Sequence, residues 1–248
     1  MKMHEFNKDK RKTALLIHPM LSSAEDITVD LTDYWKDEIH CFVPDLSAHG
    51  EDIKSTFYSA AEEAKSIHDI LAEQNCTHLE LGFGASLGGV VLFELLKYSD
   101  LEFEHICFEG VSFYEHAAFL FFVLSKAFLF EHHTAAKKPE IFVKQMSKIY
   151  GEKAGPAMAE NFMNMNKNSI KNIIRACAYV ELPELSKEIQ KRCVFAFGNK
   201  DSDLKKCRKL LPEKYPDAEL KIWTGYGHCG RMTEDSAEYA AMLKSYLK

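Results

Sequence analysis

Gly84-Ala85-Ser86-Leu87-Gly88 decides how this sequence is read, because a serine stands between two glycines where one local pattern stops and another begins. Before it, Leu79, Leu81 and Phe83 alternate as the apolar positions of a strand do. After it, Val90, Val91, Phe93, Leu95 and Leu96 form the apolar block of a buried helix ending near Lys97. A chain that turns directly from strand into helix strains the junction residue, and flanking glycines let the neighbouring backbones close together without a Cβ between them. The Ser86 side chain is thereby pushed into the open, the setting of a nucleophile elbow. Three fixed positions are a weak signal alone, so the rest of the chain must supply partners for that hydroxyl.

A serine hydroxyl is a poor nucleophile at neutral pH and needs a histidine to take its proton and a carboxylate to orient the histidine. Residues 192–197 (RCVFAF) read as a short buried strand running into Gly198-Asn199-Lys200-Asp201-Ser202-Asp203, a loop with acids at its lip. Residues 218–223 (AELKIW) alternate like another strand and lead into Thr224-Gly225-Tyr226-Gly227-His228. Asp201 is the candidate acid and His228 the candidate base. Each of the three candidates lies just past the carboxyl end of a separate strand, where ligands bind in open α/β sheets and where distant residues converge.

Two further loops lie at strand ends. Residues 13–17 (TALLI) form a buried strand leading into His18-Pro19-Met20-Leu21, and the strand at 39–43 leads into Pro44-Asp45-Leu46-Ser47-Ala48-His49-Gly50-Glu51-Asp52. Together with the pentapeptide and the order Ser, Asp, His, these loops resemble those of the α/β-hydrolase superfamily over about 13–115 and 186–248. The second loop is similar to the family's Pro-Asp-x-x-Gly-His-Gly, with Ala48 in place of a glycine. At the first, Pro19 replaces the glycine usual after the histidine. Proline has no NH, but the donor expected there belongs to the next residue, so the resemblance implies an oxyanion hole made by the Met20 and Leu87 amides. It also favours Asp201 over Asp203, on the Gly-x-x-Asp spacing from Gly198; Glu109, at the end of another strand, is a third contender.

The implied activity is a serine hydrolase that cleaves an ester-like bond (carboxylester, thioester or lactone) of a small, fairly apolar substrate through an acyl-enzyme, with no cofactor and no metal. The same residues also support C–C bond hydrolysis, and some members of the superfamily bind a ligand and turn it over slowly or never. His18 and His49 are expected to support loops near the site, with His18 a candidate substrate contact. Cys229, beside the base, is expected to pack rather than react.

Ser22-Ser23-Ala24-Glu25 offers a capping box for a helix toward Trp35, with Ile27, Leu31, Tyr34 and Trp35 along one face, and Ser59-Ala60-Ala61-Glu62 opens a second helix ending near Asn75. Residues 103–108 form another strand. Alternating strand and helix patterns imply a mostly parallel sheet with helices on both faces, an α/β-hydrolase fold of about six or seven strands. Between 116 and 185 the strand signal disappears, and helical stretches at 141–150, 157–165 and 170–180 predict a helical cap inserted into a core made of 1–115 and 186–248. Phe119, Phe122, Met146 and Phe162 from that cap are candidate substrate contacts, since Phe and Met suit an irregular apolar ligand, although helices also need such residues merely to pack.

Composition bounds the rest. At 248 residues the chain can bury a full core. Its formal charge of −6, with Lys8, Lys10, Arg11 and Lys12 a compact basic run at the edge of the first core strand, argues against nucleic-acid binding and for a small-molecule substrate. Seven scattered cysteines without ligand spacing argue for reduced thiols and no structural zinc. No secretory signal is evident, which makes the cytoplasm the default location. The most apolar stretch, 117–130 (AAFLFFVLSKAFLF), contains Lys126 and at fourteen residues is too short to span a bilayer.

Overall fold

A computed structural model describes residues 1–35 and 38–247; Lys36, Asp37 and Lys248 lie outside the described residues. The chain begins with β1 (Lys2–Phe6) and β2 (Thr13–Ile17). A short helix α1 (Ala24–Ile27) widens through a π-helical turn (Thr28–Thr32) into α2 (Asp33–Trp35). Then come β3 (His40–Asp45), α3 (Ala60–Glu73), β4 (His78–Ala85), α4 (Leu87–Leu95) and β5 (Glu102–Glu109). Three helices follow in succession: α5 (Ala118–Lys137), α6 (Pro139–Asn164) and α7 (Lys167–Ala178). The chain closes with α8 (Lys187–Lys191), β6 (Cys193–Gly198), α9 (Leu204–Lys214), β7 (Glu219–Trp223), α10 (Gly230–Glu234) and α11 (Ser236–Lys244).

The strands form one seven-stranded sheet in the order β1-β3-β2-β4-β5-β6-β7. Every neighbouring pair is parallel except β1 with β3. All of β2 is buried, because helices cover both faces of a central parallel strand: Leu15 and Ile17 join the core shared with α3, α4, α7 and α9, while Ala14 and Leu16 join that shared with α1, α2 and α11. β1 is the strand that periodicity does not reveal. Its sequence, KMHEF, is half-exposed and charged, and what holds it is tertiary: the ladder to β3 and a hydrogen bond from His4 Nε2 to Asp45 Oδ2 at 2.8 Å.

Local signals set the helix starts. Ser59 caps α3 by accepting from the Glu62 amide, and Ala60, Ala64, Ile67 and Leu71 are buried along its inner face. The first helix is capped one residue later than the Ser22 to Glu25 box, by Ser23 accepting from the Asp26 amide. Ile27, Leu31 and Trp35 are buried as expected, and Trp35 Nε1 donates to the Ala240 carbonyl at 2.8 Å. Tyr34, expected on the same face, is instead exposed. The π-helical turn just before it uses more residues per turn than an α-helix and rotates position 34 off the apolar stripe.

The elbow depends on absent side chains. A Cβ on Gly84 would lie 2.5 Å from the Gly88 carbonyl oxygen and 2.8 Å from the Gly89 Cα, and a Cβ on Gly88 would meet the Ile17 carbonyl. Three backbones, those of β4, α4 and the end of β2, therefore pack at van der Waals limits. Gly84→Ala is expected to destabilise the protein by about 1–3 kcal/mol in urea denaturation, because both neighbours are backbone and cannot rotate away. Gly227→Ala, where nothing lies within 4 Å, is expected to change stability little.

Candidate active site

Ser86 sits at the N-terminus of α4 with φ 49° and ψ −111°, a conformation that a residue bearing a Cβ rarely adopts and that costs of the order of 1–3 kcal/mol. Its own amide is held by donation to the Glu109 carbonyl at 2.8 Å, which fixes the turn against β5. Its Oγ lies 2.9 Å from His228 Nε2, and His228 Nδ1 lies 2.9 Å from Asp201 Oδ2. A carboxylate only accepts, so Nδ1 carries the ring proton and Nε2 faces the hydroxyl as an acceptor. The buried Asp201 carboxylate takes a second bond, from the Asp203 amide to Oδ1 at 2.9 Å. Asp203 thus steadies Asp201 through its backbone, and it is Asp201 that meets the ring.

His228, Asp201 and Cys229 close around Gly110, which has φ +61°; a Cβ there would lie 3.1 Å from His228 Cε1 and 3.2 Å from Asp201 Oδ2. Sequence reading passed over Gly110 as a site residue, since a single glycine after a strand carries no signal beyond a turn. Partial burial opposes charge on the His228 ring, but the Cys229 sulfur where ionised and the Asp201 carboxylate favour it, and the balance lifts its pKa above 6.5. Because burial also raises the Cys229 pKa, that sulfur is a neutral thiol at neutral pH, which leaves the Asp201 carboxylate as the anion beside the ring. Asp201, Asp203 and His228 bring potential metal ligands within 4.8 Å of one another, but a cation there would compete for the carboxylate that orients His228.

The loop after β2 packs against the elbow. His18 is fully buried; its Nε2 accepts from the Leu46 amide at 3.1 Å and its Nδ1 donates to the Pro19 carbonyl at 2.7 Å. Burial lowers its pKa, so it is a neutral strut between two loops. His49, 4.9 Å away between ring centroids, is likewise buried, with its pKa pushed down to about 3 by burial and by His18. Leu21 adopts φ +70°, and Asn161 Nδ2 of α6 donates to its carbonyl at 3.1 Å, an anchor that sequence reading missed. Met20 lies on this loop, half-buried, and the Leu87 amide opens α4, where no earlier helical carbonyl is available to it.

No protein-family model and no curated protein sequence matches this chain. Solved structures do. A putative alpha/beta hydrolase family protein from Desulfitobacterium hafniense superposes with a TM-score of 0.74 at 15% identity over 100% of both chains. A carboxylesterase structure from the thaumarchaeon Nitrososphaera gargenis gives 0.76 at 14% identity, covering 99% of this chain and 93% of that one. MenH from S. aureus gives 0.71 at 17%, covering 99% and 97%. This chain has the α/β-hydrolase fold.

Within this α/β-hydrolase fold, α5, α6 and α7 stand where a cap was expected, and its candidate contacts divide. Met146 and Phe162 are buried, and Phe162 packs edge-on against Phe128 and tilted against Phe142, so these side chains serve the core. Phe119 and Phe122 are 81% and 61% exposed. The His228 side chain is 45% exposed, which leaves the serine-histidine pair open to solvent. A cleft of about 870 Å³ between α1, β1 and α6 is lined by Glu25, Asp26, Glu51, Tyr150, Lys153 and Asn161 among others, and Ser86, Asp201 and His228 are not part of its lining.

Glu109 reached the site by a different route from the one expected of an acid. Its carbonyl holds the Ser86 amide, while its carboxyl is fully buried, with Oε2 accepting from Tyr239 Oη at 2.8 Å and Trp223 Nε1 at 3.1 Å and Oε1 without a partner among the described residues. Burial, only partly offset by those two donors, lifts its pKa to about 7. A carboxyl whose folded pKa exceeds its unfolded value binds the proton more tightly when folded. Stability is therefore highest below pH 4.5 with respect to this group and falls as pH rises through 7. Glu109→Gln keeps an acceptor for Tyr239 and Trp223 and abolishes the titration. In urea denaturation across this range, the wild type is expected to lose about 3 kcal/mol more than the variant; parallel curves would contradict this.

Proposed function

We propose that this protein is a serine hydrolase that cleaves an ester-like bond of a small substrate through an acyl-enzyme. The observation that carries the reading is one imidazole within 2.9 Å of both the Ser86 oxygen and the Asp201 carboxylate. Ser86 Oγ attacks the substrate carbonyl carbon while His228 Nε2 takes its proton, and the carbonyl π electrons move onto oxygen. The resulting oxyanion accepts from the Leu87 and Met20 amides, each such donor being worth about 10²- to 10³-fold in rate. His228 then protonates the leaving oxygen as the tetrahedral centre collapses, and a water activated by the same nitrogen releases the acid. Asp201 holds the ring and stabilises the imidazolium throughout.

The residues at 116–185, comprising α5 to α7, act in this reading as a cap over the strand ends. Tyr150 of α6 lies within electrostatic reach of His228, and α6 is broken at Gly151 (φ 85°, ψ 161°), which separates a segment beside the site from the one that carries Asn161. Through Asn161 the cap also grips the loop that bears Met20.

Hydrolysis of a short p-nitrophenyl ester tests the proposal. Ser86→Ala is expected to reduce kcat by about 10⁴-fold or more, whereas Cys229→Ala retains most activity; equal rates for the wild type and Ser86→Ala would overturn it. Because the His228 pKa is raised and the base must be unprotonated to act, kcat/KM is expected to climb with pH along a limb whose midpoint lies above 6.5. Asn161→Ala is expected to lower kcat by roughly tenfold with KM nearly unchanged, as for a loss confined to the oxyanion-bearing loop.

A further inference from the structure

Helix α5 is apolar on both sides, yet only one side is covered. Phe121, Leu124, Phe128 and Ala135 face inward, with Phe121 edge-on to Tyr179 and Phe128 edge-on to Phe162. The outward stripe, at helical spacing, is Phe119, Phe122, Val123, Lys126 and Phe130, continuing to Lys137. Phe119, Phe122 and Phe130 are 81%, 61% and 70% exposed. Single exposed apolar residues are common, but three phenylalanines and a valine aligned on one helix form a continuous patch of the kind that marks a contact surface. At 1.5 Å per residue the twenty-residue helix presents this stripe along about 30 Å.

The charge of the segment that carries the patch points to the occupant. The chain has a formal charge of −6, yet residues 116–150 carry five lysines (Lys126, Lys137, Lys138, Lys144 and Lys148) against two glutamates. All five lysines are exposed. Lys126 lies inside the apolar stripe, its ammonium 5.9 Å from the Phe122 ring centroid, and a lysine stem laid along apolar surface can lift its charged head to an anionic layer above. A second copy of the chain fits this face poorly, because a two-fold antiparallel pairing of α5 on α5 would bring the two Lys126 side chains together.

We propose that the outward face of α5 is a peripheral docking surface for an anionic phospholipid layer, with Phe119, Phe122 and Phe130 entering the acyl boundary and the lysines meeting the head groups. The helix lies in the surface plane and does not cross it, consistent with the finding that no helix among the described residues is long and apolar enough to span a membrane. The inference stands independently of the hydrolase reading.

Flotation of the full chain with phosphatidylcholine vesicles, with and without about one third phosphatidylglycerol, tests it. Binding is expected to the anionic vesicles, to weaken by at least about tenfold on plain phosphatidylcholine or in high salt, and to fall by a similar factor in Lys126→Glu and in Val123→Ser/Phe130→Ser. Melting curves and circular dichroism of both variants serve as the folding control, since all three positions are exposed. The proposal is overturned if the wild type stays free of anionic vesicles at low salt, or if folded variants bind as it does. It is also overturned if sedimentation velocity shows a wild-type dimer that the same changes dissociate, for the stripe would then be a contact between copies.

Discussion

The close approach of β4, α4 and the end of β2 is the constraint on which the rest of the structure depends. Without side chains at Gly84 and Gly88 the three backbones meet, and Ser86 is left in a strained turn with its hydroxyl pointing out of the sheet. The strain persists because surrounding bonds over-determine it: the Glu109 carbonyl holds the serine amide, and the first turn of α4 is anchored through bonds from Gly89 and Val90 to the Ser86 carbonyl. The same packing draws the end of β2 and the start of the loop after it, at His18, against the N-terminus of α4.

Parallel strands then determine where partners can come from. The turns after β6 and β7 lie on the same rim as the elbow, so His228 meets Ser86 across 142 positions of chain and Asp201 meets His228 behind it. Glu109 shows the cost of building such a rim: a carboxyl is enclosed beneath it with one oxygen unpartnered and its proton held near neutrality. Stability and site geometry are thereby linked through one residue at the end of β5.

Much of this was legible in the sequence because the signals are local. The alternation in β4 and β7, the short apolar runs of β2 and β6, the serine caps of α1 and α3, and the glycines of the elbow each depend on a few consecutive residues. The elements that escaped depend on contacts between distant segments. β1 is a strand by virtue of β3 and Asp45, Tyr34 is turned outward by a widened helical turn, Gly110 matters for what crowds it, and Asn161 matters through a loop 140 residues away. Phenylalanines of α5 and α6 illustrate the ambiguity best: composition alone could not separate Phe162, buried in the core, from Phe119 and Phe122, which face solvent.

In the proposed hydrolase, strain and one shared imidazole make Ser86 uniquely reactive among the serines of this chain. Reaction with a fluorophosphonate, followed by intact mass and peptide mapping, tests that claim most directly. A single adduct on Ser86 is expected, one that forms also in the Cys229→Ala variant and slows by orders of magnitude in His228→Ala. An unlabelled protein, or an adduct on any other residue, would contradict it.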